Sequence, residues 1–185
     1  MNSSSNAGRY SRITIGMHWL MVVLMVAIYA TMELKGIFPK GSGGRDTMKQ
    51  LHFMLGLSAL ALVVVRIVMN RFTRTPPVVP DPPRWQKASA KAMHIALYAL
   101  MIGLPVLGWL ILSAKSEAIP FWGYTLPPLI GPNASSAKWL KNLHELGATA
   151  GYFLIGAHAA AALFHHYVLR DNTLARMLPG IGSSR

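Results

Sequence analysis

Apolar residues gather in four long blocks, roughly 14–36, 50–70, 90–113 and 141–168, separated by stretches rich in charge, proline and glycine. Each block is about as long as the ~20 residues that carry a helix across a bilayer. None alternates with period two, and a lipid-exposed segment must satisfy its backbone hydrogen bonds within itself, so each block predicts a helix. The pattern therefore predicts an all-α integral membrane protein, a four-helix bundle formed by a single domain over 1–185. The first block follows Arg9 and Arg12 as a signal peptide would. It is longer than an h-region and lacks a small-residue cleavage site, so it is read as a span. Between the second and third blocks, Thr75-Pro-Pro-Val-Val-Pro-Asp-Pro-Pro83 cannot continue a helix and predicts a stiff extended connection. The stretch from Ser116 to Ala137, with four prolines, predicts a second ordered loop, and Pro105 predicts a kink inside the third helix.

Composition agrees with this reading. Of 185 residues 52% are hydrophobic and only 13% charged, where a soluble domain carries about 25% charged. The absence of cysteine excludes disulfides, thiolate metal sites, iron–sulfur clusters and covalently attached haem. The net charge of +12 is spread as punctuation between apolar blocks, which argues for membrane topology and against a nucleic-acid face. With the N-terminus cytoplasmic, eleven of the eighteen basic residues fall on the cytoplasmic side, and both termini are expected there. The opposite rim keeps Lys35, Lys40, Arg45, Lys49, Lys115, Lys138 and Lys141. Lys138 and Lys141 lie one turn apart just before His144.

Histidine in hydrocarbon is costly and marks a functional site by default. His144 and His158 share the fourth block, 14 residues apart, which is about 21 Å along a helix and about 40° short of four turns. His18 opens the first block and His52 the second, so in an alternating bundle His18 joins His158 at one face and His52 joins His144 at the other. Two layers of two imidazoles are what two six-coordinate b-type haems require. Gly147, Ala148 and Gly151 after His144, and Gly56 after His52, share the ligand faces and predict room for a macrocycle; close helix approach is the competing explanation. His94 is an alternative ligand in place of His18 or His158. His165, two turns beyond His158, is placed to hydrogen-bond a quinone carbonyl or relay its protons. His166 points away, toward the interface. The eleven methionines are scattered among Leu and Val, without the close spacing of a copper pathway, and read as packing.

Three stretches carry a resemblance to a known family. Met17-His-Trp-Leu20, His144-Glu-Leu-Gly-Ala-Thr-Ala-Gly-Tyr-Phe-Leu-Ile-Gly-Ala-His-Ala-Ala-Ala-Ala162 and His165-His-Tyr-Val-Leu-Arg-Asp-Asn-Thr-Leu-Ala-Arg-Met-Leu-Pro179 resemble the bacterial cytochrome b561 family, over about residues 9–179. The tail is the most specific of the three. The resemblance implies a four-helix, two-haem protein of the bacterial inner membrane with ligands at His18, His52, His144 and His158. It also implies oxidation of superoxide to dioxygen at the periplasmic side, with electrons crossing to ubiquinone, lipid as the surroundings and no obligatory protein partner. A basic outer rim that attracts an anion is consistent with that reaction, and makes Lys138 and Lys141 its candidate functional lysines. The competing class is a haem-bearing membrane subunit that passes electrons between quinone and a partner dehydrogenase or hydrogenase, docked through the loop from Ser116 to Pro132. The extension from Asn2 to Ala7 is expected to be disordered.

Overall fold

The computed structural model describes residues 8–179. Four helices account for most of them: α1 (Arg12–Leu34), α2 (Gly43–Phe72), α3 (Arg84–Ala114) and α4 (Ala134–Phe164), all long and apolar enough to cross a membrane. The expected extension from Asn2 to Ala7 lies outside the described residues.

The helices begin well before the apolar blocks do: α2 starts at Gly43, α3 at Arg84 and α4 at Ala134. Hydropathy reports where lipid begins, whereas helix ends are set by capping. Ser11, Ser42 and Asn133 each accept a hydrogen bond from a backbone N–H three residues on, satisfying donors that the first turn leaves free. Pro83 precedes α3, where a missing N–H costs nothing. The third helix runs unbroken through Pro105.

Burial is inverted relative to a soluble bundle. Val23, Val26, Val64, Phe153 and Leu163 point outward, and the tightest core cluster holds only Met21, Ala59 and Val63, ringed by half-buried apolar residues. Threonine and serine supply some of the buried positions, with Thr14, Thr31 and Ser113 all shielded. Close backbone packing runs α1 on α2, α2 on α3 and α3 on α4. Among the described residues, α4 makes no close backbone contact with α1 or α2.

The first and last described residues, Gly8 and Pro179, belong to segments that meet at one face of the bundle, called the inner face, with the opposite one the outer face. The segment after α4 folds back beneath the bundle and ties three elements together. Tyr10 N–H donates to the Arg176 carbonyl, Trp19 Nε1–H donates to the Met177 carbonyl at 2.7 Å, and Val79 N–H donates to the Asn172 side chain at 2.8 Å. Arg176 is buried, bonded to the Pro76 carbonyl and set 5.5 Å above the Tyr10 ring. The tail motif is thus a clasp across the inner mouth, which explains why a polar segment carries so specific a pattern.

The outer face holds a feature that the sequence reading left as loop. Two three-residue strands, β1 (Ile119–Phe121) and β2 (Tyr124–Leu126), pair antiparallel through a tight turn at Trp122 and Gly123, both at positive φ. Trp122 donates Nε1–H to Ser58 on α2 at 2.9 Å, and buried Ile119 joins Leu57 and Leu112, seating the hairpin on α2 and α3.

Candidate haem site

The four expected ligands come together in the two expected pairs. His52 and His144 lie with ring centroids 6.1 Å apart, and His18 and His158 with centroids 6.4 Å apart. With a metal–imidazole bond of about 2.0 Å, separations of this size would let the two rings of each pair hold one metal ion between them. Each pair spans helices whose backbones make no close contact, α2 with α4 and α1 with α4. That backbone separation is what a flat macrocycle between the helices would need.

His94 sits 5.4 Å from His158, so the inner layer holds three imidazoles. Helix spacing decides between them. His94 rides on α3, which packs directly against α4 and leaves no gap for a macrocycle between the two. The α1–α4 pair, His18 and His158, fits better.

The outer pair is held from behind. His52 Nδ1 lies 3.2 Å from the Ile28 carbonyl and 3.4 Å from the Thr31 hydroxyl, which fixes the ring and leaves Nε2 free for a metal. His144 Nδ1 is turned toward the Leu104 carbonyl and has no hydrogen-bond partner of good geometry, although it is buried. Such an orphan fits a ring positioned by a group bound on its other nitrogen.

The small residues divide between the two explanations. A side chain at Gly56 would meet nothing within 4 Å, and one at Gly108 only the His144 ring, so these two leave room beside the outer pair. Gly147 and Gly151, expected beside a macrocycle, instead admit neighbouring helices. A Cβ on Gly147 would lie 2.8 Å from Leu104, and one on Gly151 would collide with the Tyr29 hydroxyl. Tyr29 reaches across from α1 to donate to the Ala148 carbonyl at 2.9 Å, filling the space between the two layers beside Tyr152, whose ring centroid is 4.3 Å away.

At the inner end, helix α4 passes into a π-helical turn, His165–Leu169, that ends on Arg170 in the left-handed conformation. The wider turn brings His165 Nδ1 within 2.5 Å of Asp171 Oδ2. Burial works against the Asp171 charge, but hydrogen bonds from His165 and Thr173 outweigh it and hold the carboxyl below its ordinary range. His165 thus has its Nδ1–H committed, and its other nitrogen is free.

The outer lysines are less free than a count suggests. An open basin of about 710 Å³ at the start of α4 is lined by Lys115, Lys138 and Lys141 together with Glu117 and Asn133. Lys141 pairs with Glu145 at 2.7 Å and Lys115 with Glu117 at 3.5 Å. Lys49 pairs with Asp46, and Arg45 is taken up by the Lys35 and Phe38 carbonyls. Among the described residues Lys138 makes no ion pair.

One charged residue escaped the sequence reading, where it was counted only as a cytoplasmic charge. Arg66 follows the run Leu60-Ala-Leu-Val-Val-Val65, six residues inside the end of α2, and its charge acts on His18, His94 and His158. An arginine interrupting an apolar run was the available signal.

Stacked histidine pairs between four lipid-facing helices define a transmembrane b-type cytochrome. The chain belongs to the prokaryotic cytochrome b561 family, whose model matches residues 9–180. It is 41% identical over 171 residues to cytochrome b561 homolog 1 of Escherichia coli K12, covering 92% of this chain and 97% of that one. It is 39% identical to the probable superoxide oxidase CybB of Yersinia pestis, covering 92% and 96%, and 30% identical to cytochrome b562 of Cereibacter sphaeroides, covering 91% and 94%. The chain is a multi-pass membrane protein of electron transfer, with b-type haem as its cofactor.

Proposed function

We propose that this chain is a superoxide:ubiquinone oxidoreductase of the bacterial inner membrane, with the hairpin face periplasmic and both termini cytoplasmic. The carrying observation is the pair of imidazole pairs, one near each face, bridging helices whose backbones make no close contact. The substrate comes from the name of the Yersinia pestis relative and from the basic basin beside α4. The excess of basic residues on the inner side supports the orientation.

Two b-type haems, held by His52 with His144 and by His18 with His158, would supply one-electron redox centres. Ile28 and Thr31 keep His52 oriented, and Tyr29 with Tyr152 excludes water between the layers. Lys138 raises the local concentration of a small anion near the outer pair. Two superoxide ions then yield two dioxygen molecules and two electrons, with no bond broken. At the inner face one ubiquinone takes up those electrons with two protons to give ubiquinol. His165, oriented by Asp171, offers its free nitrogen to a quinone carbonyl and passes protons from the aqueous side.

A second reading, an electron-transfer subunit for a partner dehydrogenase, is favoured only by the exposed hairpin, where Tyr124 is 76% exposed. Stopped-flow mixing of oxidised protein with a superoxide source, with and without ubiquinone, separates the two. Direct haem reduction followed by quinone-dependent turnover supports the oxidoreductase. Reduction only in the presence of a dehydrogenase overturns it.

A further inference from the structure

The inner histidine layer contains a cation to which no acidic side chain of the described residues supplies a counter-charge. Arg66 lies 14 residues beyond His52 on α2, the same separation as His144 and His158 on α4, so it sits about 21 Å from the outer layer, level with the inner pair. Its Nε–H donates to the Tyr98 hydroxyl at 3.2 Å, and Asn70 donates to the same oxygen at 3.1 Å. Tyr98 is thereby filled as an acceptor and keeps its own proton to give. The Nη1 of Arg66 is buried with no partner.

An unneutralised guanidinium at this depth is expensive. Each of the six acidic side chains is engaged elsewhere. Asp46 pairs with Lys49, Asp81 with Lys87, Glu117 with Lys115, Glu145 with Lys141 and Asp171 with His165, while Glu33 accepts from the Tyr152 hydroxyl. A lipid phosphate would find Arg71 and Arg74 first, since both lie nearer the headgroups. The anion that Arg66 meets therefore comes from within the bundle.

We infer that Arg66, with Tyr98 behind it, is the counter-ion of a propionate carboxylate on the haem held by His18 and His158. The inference rests on the haem reading above and adds a residue to it. Arg66 is a positioning and charge-balancing residue: the fork of its guanidinium matches a carboxylate, and its charge favours the reduced haem.

The test uses the haem-loaded protein with Arg66→Gln and Arg66→Lys, titrated in a His144→Ala background that reports the inner haem alone. Arg66→Gln is expected to shift the inner-haem reduction equilibrium toward the oxidised form by about tenfold, which is about 59 mV for one electron. Arg66→Lys should restore most of that shift. In redox-difference infrared spectra with haem labelled with carbon-13 at its propionate carboxyls, both variants should move the labelled carboxylate band. An unmoved band, or a potential within twofold of the parent equilibrium in Arg66→Gln, overturns the inference. Where Arg66→Gln sheds the haem, Arg66→Lys decides: haem restored with a moved band supports the ion pair, and haem lost from both variants, or restored with an unmoved band, overturns it. His18→Ala serves as the control, because retention of its inner haem would overturn the ligand assignment itself, independently of Arg66.

Discussion

His165 and Asp171 are joined at 2.5 Å across a π-helical turn at the inner end of α4, the imidazole on the last turn of the span and the carboxylate just beyond it. The carboxylate fixes which nitrogen of His165 faces away. Asp171→Asn is expected to slow quinone reduction on the order of 10²-fold while leaving both haem spectra intact. Steady-state turnover with a soluble ubiquinone analogue, set against the optical spectrum, checks this. Loss of the spectrum together with turnover would assign Asp171 a purely structural role.

The same carboxylate gives the tail clasp a pH dependence. The folded Asp171 carboxyl is held below its ordinary value, so its contribution is fully present above the ordinary aspartate range and is lost as pH falls through the lower folded value. Limited proteolysis of the tail should accelerate only at strongly acid pH, and Asp171→Asn should remove that dependence.

Layer-specific loss of haem follows from the two pairs. His52→Ala or His144→Ala should abolish the outer haem and spare the inner, with the reverse for His18→Ala and His158→Ala. His94→Ala should retain both, because α3 packs directly on α4. Pyridine haemochrome counts per polypeptide report each case, and a count of one in the parent protein would defeat the two-layer reading.

Charge at the outer basin should act through Lys138 more than Lys141, whose charge is spent on Glu145. Lys138→Glu is expected to slow haem reduction by superoxide on the order of tenfold at low salt and to flatten its salt dependence. Glu145→Gln should raise the rate. Reduction by an uncharged donor should be unaffected in both.

Gly151→Ala is expected to destabilise the bundle by about 1–3 kcal/mol, since its Cβ would drive Tyr29 away from α4. Gly56→Ala meets open space and should leave the thermal stability of the haem-free chain unchanged. Thermal unfolding in detergent compares the two.

Hydropathy alone determined that this chain has four helices long and apolar enough to cross a membrane, and the spacing of His144 and His158 with the positions of His18 and His52 anticipated which rings lie beside each other. Both are one-dimensional consequences: a bilayer demands a fixed length of apolar helix, and antiparallel helices of known rise place residues at computable depths. The hairpin was beyond that reach, because three-residue strands with a proline at Pro120 carry too little pattern, and their pairing rests on Trp122 finding Ser58 across 64 positions. Which glycines leave space and which admit a neighbour depended on helix rotation, a matter of packing that sequence spacing does not reveal. Arg66 was visible as a charge, yet its standing as a cation without an acidic side-chain partner emerged only once all six carboxylates had been located in space. Depth in the membrane is written along the chain, whereas the identity of each neighbour at that depth is decided by how the helices pack.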